Sequence, residues 1–563
     1  MRAGFLRAAL LGLAATTLVA LGWIAGRSGR APEAPSFRAL TFRQGHVFSA
    51  RFEDEGSSVV FGASWDGGTS RVFRTMVEEL DPRPVDVPPG DVFAVMRGGE
   101  LLLGLDRAFH FDWLTRAALA RERPGAGPPR VLAPIVRAAD ATADGAAVAL
   151  VRPTRNEHLL ELPEGTVRYR TSGWIGDLRV LPDGTGVAFL DHPVWGDRRG
   201  RLLLSQDGQT RPIVEGEFET LTGLALAPGG REVYFSAARS GPQTEVFAAD
   251  LEGSKPRSVL RAPGSLRVHD AVASRLLFSR EEQRQTIGYR SGSAAEQDIC
   301  WTSHAQIAAL SADGTRALVT VYDDRGGGNG TTWVRDVDGG APVHLGPGEA
   351  TDLSPDGKWA VAIRRGEVES LALLPTGPGD ARTLVLPRAE RYHWARFTPD
   401  GRRLVVSANE SGRKIRLYRL DLETGDSAPI TPEGVGYLLA VRSSGDAVTS
   451  EDVDLRIRLF PLEGGSPRAV TGLLPGEVVL LWLPGDEAFL AATPNSVPLR
   501  VFRVDALTGA RRLHDEVGPT DRNGLRSVWP VAYSRGGSAV AYSVWRLFSQ
   551  LFVAETDRRL DPR

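Results

Sequence analysis

The chain has 563 residues, beyond the length at which one hydrophobic core keeps growing, so either several domains or one repeat array is expected. Its 42% hydrophobic and 24% charged content is that of an ordinary globular protein and excludes extended disorder. A formal charge of -2 without a basic stripe excludes the electrostatic footprint of a nucleic-acid binder, and the single cysteine, Cys300, excludes an internal disulfide.

The first predicted element is an uncharged run over 8–26, preceded by Arg2 and Arg7 and followed by Arg27 and Arg30. As a helix it would span about 28 Å, close to the hydrocarbon thickness of a bilayer. Trp23 stands where an interfacial aromatic belongs. The run therefore reads as an N-terminal membrane anchor within residues 1–30, with a cleaved signal peptide as the competing reading. Arginines balance on its two sides, so charge alone gives no orientation; the remainder is expected outside the cytoplasm, single-pass on the periplasmic side of an inner membrane.

After a linker and candidate closing strand (31–47), a turn followed by an apolar strand recurs roughly every 43 residues. The clearest copies are Leu181-Pro182-Asp183-Gly184, Ser311-Ala312-Asp313-Gly314, Ser354-Pro355-Asp356-Gly357 and Thr398-Pro399-Asp400-Gly401, each before a strand. Weaker copies begin at Glu53, Arg97, Ala143, Pro228, Ser444, Pro484 and Arg535, and the strand from Arg275 keeps the period without the glycine. Proline sets φ at the first corner, aspartate bonds the local backbone, and glycine accepts positive φ. A later alternating strand, as in Ile415–Gly425, completes modules with four short strands each.

Twelve such modules predict an all-β fold of about twelve four-stranded blades, arranged as two six-bladed β-propellers over 48–305 and 306–563, in addition to the transmembrane helix. A seven-plus-five partition stays open. The last module stops after what reads as its third strand, from Ser549, and Arg38 onward reads as a fourth. The N-terminal strand is thus expected to complete the final blade.

The turn Ser354-Pro355-Asp356-Gly357 with its following apolar strand, and the D-x-x-TG ending such as Asp421–Gly425, resemble the repeats of TolB-like propellers over nearly everything after the anchor. Leu40–Phe52, Val59–Gly67, Gly186–Gly200, Tyr392–Tyr418 and Ile430–Val435 resemble the extracytoplasmic propeller region of bacterial eukaryote-like serine/threonine kinases. That resemblance implies a sensor or docking half, whose partner would be a separate kinase. Kinase chemistry itself is not implied, because HRD and DFG motifs are missing and no lysine precedes Lys255.

No G-x-S-x-G, H-E-x-x-H, Walker or C-x-x-C pattern occurs in the sequence, so no catalytic residue, cofactor or metal is assigned and the chain is read as a non-enzyme. The glycine-rich stretch Arg325–Gly330 lacks a lysine and reads as a blade loop. Binding candidates are the polar and aromatic loop residues His192, Trp195, Asp197, Arg198 and Arg199, then Trp65 with Asp66, Trp301 with His304, Tyr322 with Asp323, and His393 with Trp394. The expected activity is recognition of a protein, peptide or cell-envelope ligand by a membrane-tethered module. A hydrolase or lyase with a channel-mouth site and the sensory half of a split kinase system are the alternatives.

Overall fold

The computed structural model describes residues 36–555 except 80, 112–113, 126, 155–156, 195–197, 242, 254, 323–329, 367, 453 and 455. The expected anchor over 8–26 and the candidates Trp195, Asp197 and Asp323 lie outside the described residues. Among the described residues no helix is long and apolar enough to cross a membrane, and the helical turns are the short segments Asp54–Gly56 and Arg97–Gly99.

Each repeat turn is built as its composition demands. In Ser354–Gly357 the Ser354 hydroxyl donates to Asp356 Oδ1 (2.6 Å) and accepts from the Trp359 N–H (2.9 Å), while Asp356 Oδ1 also accepts from the Lys358 N–H (3.1 Å). Gly357 sits at φ +70°, where a Cβ would be strained. Ser311–Gly314 and Thr398–Gly401 repeat the same bonds with Asp313 and Asp400. The turn delivers the chain into an apolar second strand, such as Trp359–Arg364, whose middle four residues are buried.

Ten sheets are four-stranded, antiparallel and made of consecutive strands. Their first strands, with two strands of the remaining six-stranded sheet, contact one another in succession: His46–Glu53, Gly90–Val95, Ala138–Ala141, Trp174–Val180, Thr220–Leu226 and Ser265–Val272 of the six-stranded sheet, with the last returning to the first. A second succession runs through Ala305–Leu310, Glu349–Leu353, Ala389–Phe397, Tyr437–Val441, Val478–Trp482 and Leu525–Tyr533, and it too returns to its start. Sheets whose first strands form a closed ring, with later strands stacked outward, constitute a β-propeller.

The sheet that closes both rings departs from the expected order. Arg275–Ser291 and Ala539–Glu555 are unbroken 17-residue strands, paired antiparallel along their whole length from Arg275 opposite Glu555 to Ser291 opposite Ala539. Near Arg275 they form the two middle strands of a blade between Ser265–Val272 and Ser36–Ala39. Near Ser291 they form the middle of another, between Leu525–Tyr533 and Gln297–Asp298. The N-terminal strand does pair with the chain end, Ser36 opposite Glu555. The blade it completes, however, belongs to the first ring, and the segment from Ser549 continues the last module's second strand rather than starting a third. The physical reason is local: 282–289 and 543–551 contain no proline or asparagine and one glycine, Gly288, at an extended φ, so nothing turns either strand back.

Blade-to-blade bonds fix the rings. The Val180 N–H donates to Asp140 Oδ2 (2.8 Å), the Phe52 N–H to Asp270 Oδ2 (2.9 Å) and the Phe397 N–H to Asp352 Oδ2 (2.9 Å). Apolar side chains fill the spaces between sheets; one such cluster joins Leu40, Val47, Phe61, Leu277, Leu551 and Val553.

Candidate functional site

Counting back five residues from each turn glycine picks out the side chains that face the ring axes. In the first ring this position holds Arg51, Ala94, Asp140, Arg179 and Ala225; in the second it holds Ala309, Asp352, Arg396, Ala440, Leu480 and Ala532. Arg51 and Arg179 come from the first and fourth inner strands, yet both donate to the His269 carbonyl on the sixth, at 3.3 and 2.6 Å. Such a meeting is possible only across the axis.

The first axis is therefore a charged plug. Arg51, Arg107, Arg137, Arg179 and Arg267 converge there with Asp91, Asp140, Asp177 and Asp270. Arg107 pairs with the fully buried Asp91, and Arg267 pairs with Asp177 at 2.9 Å. Arg137 donates to the Gly176 carbonyl (3.1 Å) and lies 4.8 Å over the Trp174 ring, which stacks on His192 with centroids 3.7 Å apart. Burial and the neighbouring Arg179 pull the Arg51 guanidinium down to about 10. Burial pushes the Asp177 carboxyl up, but Arg267, Arg179, Arg137 and Arg51 outweigh it and hold the group below the ordinary carboxylate range. Burial, then the nearby arginines, keep His269 well below the usual imidazole value, and therefore neutral.

The second axis carries fewer charged side chains. A cavity of about 170 Å³ is lined there by Ala308–Leu310, Ala440, Leu480, Leu481 and Val531–Tyr533, with Asp352 and Arg396 paired at 3.2 Å on one wall.

A larger cleft of about 310 Å³ opens where the two rings meet. From the first ring it is lined by His46, Phe48, Ser64, Thr69, Ser70, Asp106 and Arg107, and from the second by Asn495, Val497, Leu525 and Arg526. The Arg526 guanidinium lies 5.2 Å over the Phe48 ring, joining the two rings across the cleft. Asn495 is held by the Ser527 hydroxyl, which donates to its Oδ1 at 2.7 Å. Burial, then the nearby arginines Arg526, Arg267 and Arg107, depress His46 well below the usual imidazole range.

The sequence candidates fall in separate places. Trp65 is buried against Phe61 and Phe73 with Arg43 over its ring, and Asp66 accepts the Gly68 N–H (3.1 Å) at the edge of the cleft. His192 is fully buried, with Nδ1 3.1 Å from the Arg199 carbonyl; Arg198 holds Leu221 N–H through its own carbonyl, and Arg199 is exposed. Trp301 packs near Trp333 beneath Arg335. The remaining candidates share one end of the second ring. Tyr322 N–H donates to the His304 carbonyl, and its hydroxyl donates to Gln306 (3.0 Å); His393 bonds Asn409 (2.9 Å) and forms a triangle with the exposed rings of Trp394 and Tyr437. Beside them Arg365 bridges Glu349 and Glu369.

Sequence reasoning missed Arg51, Asp140, Arg179, Asp352 and Arg396, although a charge five residues before a turn glycine would have found them. It also missed Arg107, Asn495, Tyr437 and Arg526. Among the described residues no group of three or more histidine, cysteine or acidic side chains is placed to hold a metal ion.

No protein-family model matches the sequence, and no curated protein matches it. Solved structures do. A putative TolB from Agrobacterium tumefaciens is 14% identical over 60% of this chain and 94% of its own, with a TM-score of 0.25. An oligogalacturonate lyase from Vibrio parahaemolyticus is 13% identical over 49% of this chain and 98% of its own (TM-score 0.33), and the tricorn protease is 13% identical over 90% of this chain and 57% of its own (TM-score 0.33).

Proposed function

We propose that the chain is a pair of six-bladed β-propellers that share one strand pair and act as a non-catalytic recognition module for a protein or peptide, tethered outside the inner membrane by residues 8–26. The observation that carries the reading is the cleft of about 310 Å³ between the rings, formed by loop and strand ends of both. That volume lies at the low end of the roughly 300–1000 Å³ that ligand pockets occupy, enough for a small ligand or the tip of a chain. Its lining combines an apolar side (Phe48, Val497, Leu525) with hydroxyl, amide and guanidinium groups on rigid elements.

One observation favours recognition over a channel enzyme. Burial raises the carboxyls of both Asp140 and Asp352, the kind of shift a general acid would need. Yet both stand at the same repeat position and accept an N–H of the next blade, Val180 or Phe397. Recurrence of one bond in two rings marks a ring-building role. The kinase-like resemblance supports a signalling partner, which the anchor would bring to the membrane surface.

The test places a photo-cross-linking residue at Val497 in the cleft, at Trp394 on the far ring's end, and at the 88% exposed Leu507 as control. Native envelopes are irradiated and the adducts identified. A discrete adduct at 497 that is missing at 507 is expected; the same adducts at all three positions would sink the assignment. Alkaline extraction of the full chain tests the anchor, which predicts retention in the membrane pellet.

A further inference from the structure

The two ring axes differ in what covers their backbone. Each inner strand of the second ring pairs with a neighbour on one side alone, so its other edge turns carbonyl and N–H groups toward the axis. The residue just before each axial side chain shows how such carbonyls are used. In the first ring the Ala50 and Leu178 carbonyls accept the guanidinium N–H groups of Arg51 and Arg179 at 2.8 and 2.6 Å. In the second ring the one axial arginine is Arg396. Its Nη1 covers two of these carbonyls, Thr351 at 2.7 Å and more loosely Ala308 at 3.5 Å, besides bonding Asp352. The carbonyl in the same place on the last inner strand belongs to Val531, which lines the cavity of about 170 Å³. Among the described residues no side chain donates to it.

Arg396 also keeps an edge open. Its Nε and Nη2 have no acceptor among the described residues, its side chain is 31% exposed, and it stands on the cavity wall. Those two groups form one side of the planar guanidinium fork, suited to an oxygen acceptor. The axial alanines Ala309, Ala440 and Ala532 leave the space in front of it, where the first ring carries Arg51, Asp140 and Arg179. Asp352 and Arg396, paired at 3.2 Å, are the charged side chains on the lining, so the cavity has no net charge and a lone ion would enter it uncompensated. A cavity of about 150 Å³ holds a benzene-sized molecule, so the occupant is of that size.

We propose that the axial cavity of the second ring binds a carboxamide, its oxygen on the Nε and Nη2 edge of Arg396 and its NH2 on carbonyls of the free inner-strand edges, that of Val531 among them. This is a second site, separate from the cleft between the rings.

The experiment is a saturation-transfer titration of the full-length protein with four molecules of one shape: isobutyramide, isobutyrate, isobutyramidinium and 3-methyl-2-butanone. They present a neutral donor with an acceptor, an anion, a cation, and an acceptor alone. Isobutyramide should bind about fivefold more tightly, or better, than each of the other three, because each of them leaves a polar group of the site unpaired or brings an uncompensated charge. Ala532→Leu fills the cavity from a half-buried position and should abolish the titration while the melting temperature shows the fold intact. Arg396→Lys keeps a cation beside Asp352 but removes the planar edge, and should weaken isobutyramide about fivefold; the four wild-type titrations stand by themselves where that variant does not fold. N-acetylglutamine methylamide separates the two sources of a carboxamide: binding as tight as isobutyramide assigns the site to a partner's side chain, and its exclusion to a free small amide. Equal binding of the amide and the ketone, tighter binding of either ion, no binding of the amide, or a wild-type titration in Ala532→Leu overturns the proposal. The Val497 cross-link reads the cleft between the rings alone, so the two readings fail separately.

Discussion

Leu40→Ala is the sharpest probe of how the two rings are coupled. Leu40 follows the N-terminal closing strand, is fully buried, and packs with Leu277, Leu551 and Val553 of the shared pair. Its N–H donates to the Leu551 carbonyl at 2.8 Å, so the backbone is held while the side chain is removed. A buried Leu→Ala change costs about 3 kcal/mol, including the residual cavity. The resulting shift depends on the size of the cooperative unit. At about 2.1 cal/mol/K per residue, a unit of roughly 520 residues has an unfolding entropy near 1.1 kcal/mol/K and moves by about 3 °C. A single ring of roughly 260 residues would move by about 5 to 6 °C. Because Arg275–Ser291 and Ala539–Glu555 are each common to both rings, one ring cannot unfold without unpairing strands of the other. Differential scanning calorimetry should therefore show one transition, with equal calorimetric and van't Hoff enthalpies, lowered by about 3 °C in the variant. Two transitions with only the lower one displaced by 5 °C or more would refute the coupling.

Further outcomes follow from the turns. Gly357→Ala should cost about 1 to 2 kcal/mol for forcing a Cβ at positive φ, because little else lies near it. Gly314→Ala should cost about 1 to 3 kcal/mol more, since its Cβ would stand 2.8 Å from that of Ala539 in the shared strand. Urea midpoints at constant m distinguish them, and equal midpoints would contradict the contact. Asp313 is pulled from 3.8 to about 2 by the Ser311 hydroxyl and the Thr315 N–H and hydroxyl, so its contribution is complete above the unfolded value and is lost as pH falls through 2. Melting temperature should drop between pH 4 and 2, and Asp313→Asn should shallow that slope; an unchanged slope would show that the turn carboxylate is not linked to folding.

The repeat was legible because each turn is a local device. Serine or threonine, aspartate and glycine satisfy one another within six residues, so their spacing survives in the sequence as a period, and every module expected from it has its second strand in the structure. The blade that closes the rings was misread because its pairing is not local: Glu281 lies opposite Ser549, and no turn residue signals a strand that simply continues. Of the candidate sites, the aromatic loop residues divided according to burial. His192 and Trp65 are packing residues of the first ring, and Trp394 is exposed on the second. The cleft was invisible for the same reason as the closing blade, since Phe48 and Arg526 are 478 positions apart and meet only because the chain ends are stitched together.

That stitching bears on how a ligand could be sensed. The continuous pair crosses from one ring to the other around Glu281, opposite Ser549, and Ser549 itself accepts the Val47 N–H and lies 3.2 Å from His46 Nδ1. His46 in turn lines the cleft, with Phe48 packed edge-on against it at 4.4 Å. The junction of the shared strands and the wall of the cleft are thus the same few side chains. A group bound in the cleft would touch residues that also fix the crossing of the two rings, so its binding free energy would add to the stability of that crossing. On the proposed reading, a joint whose cleft is lined from two rings would respond to occupancy by becoming more stable as a whole, with no moving part required.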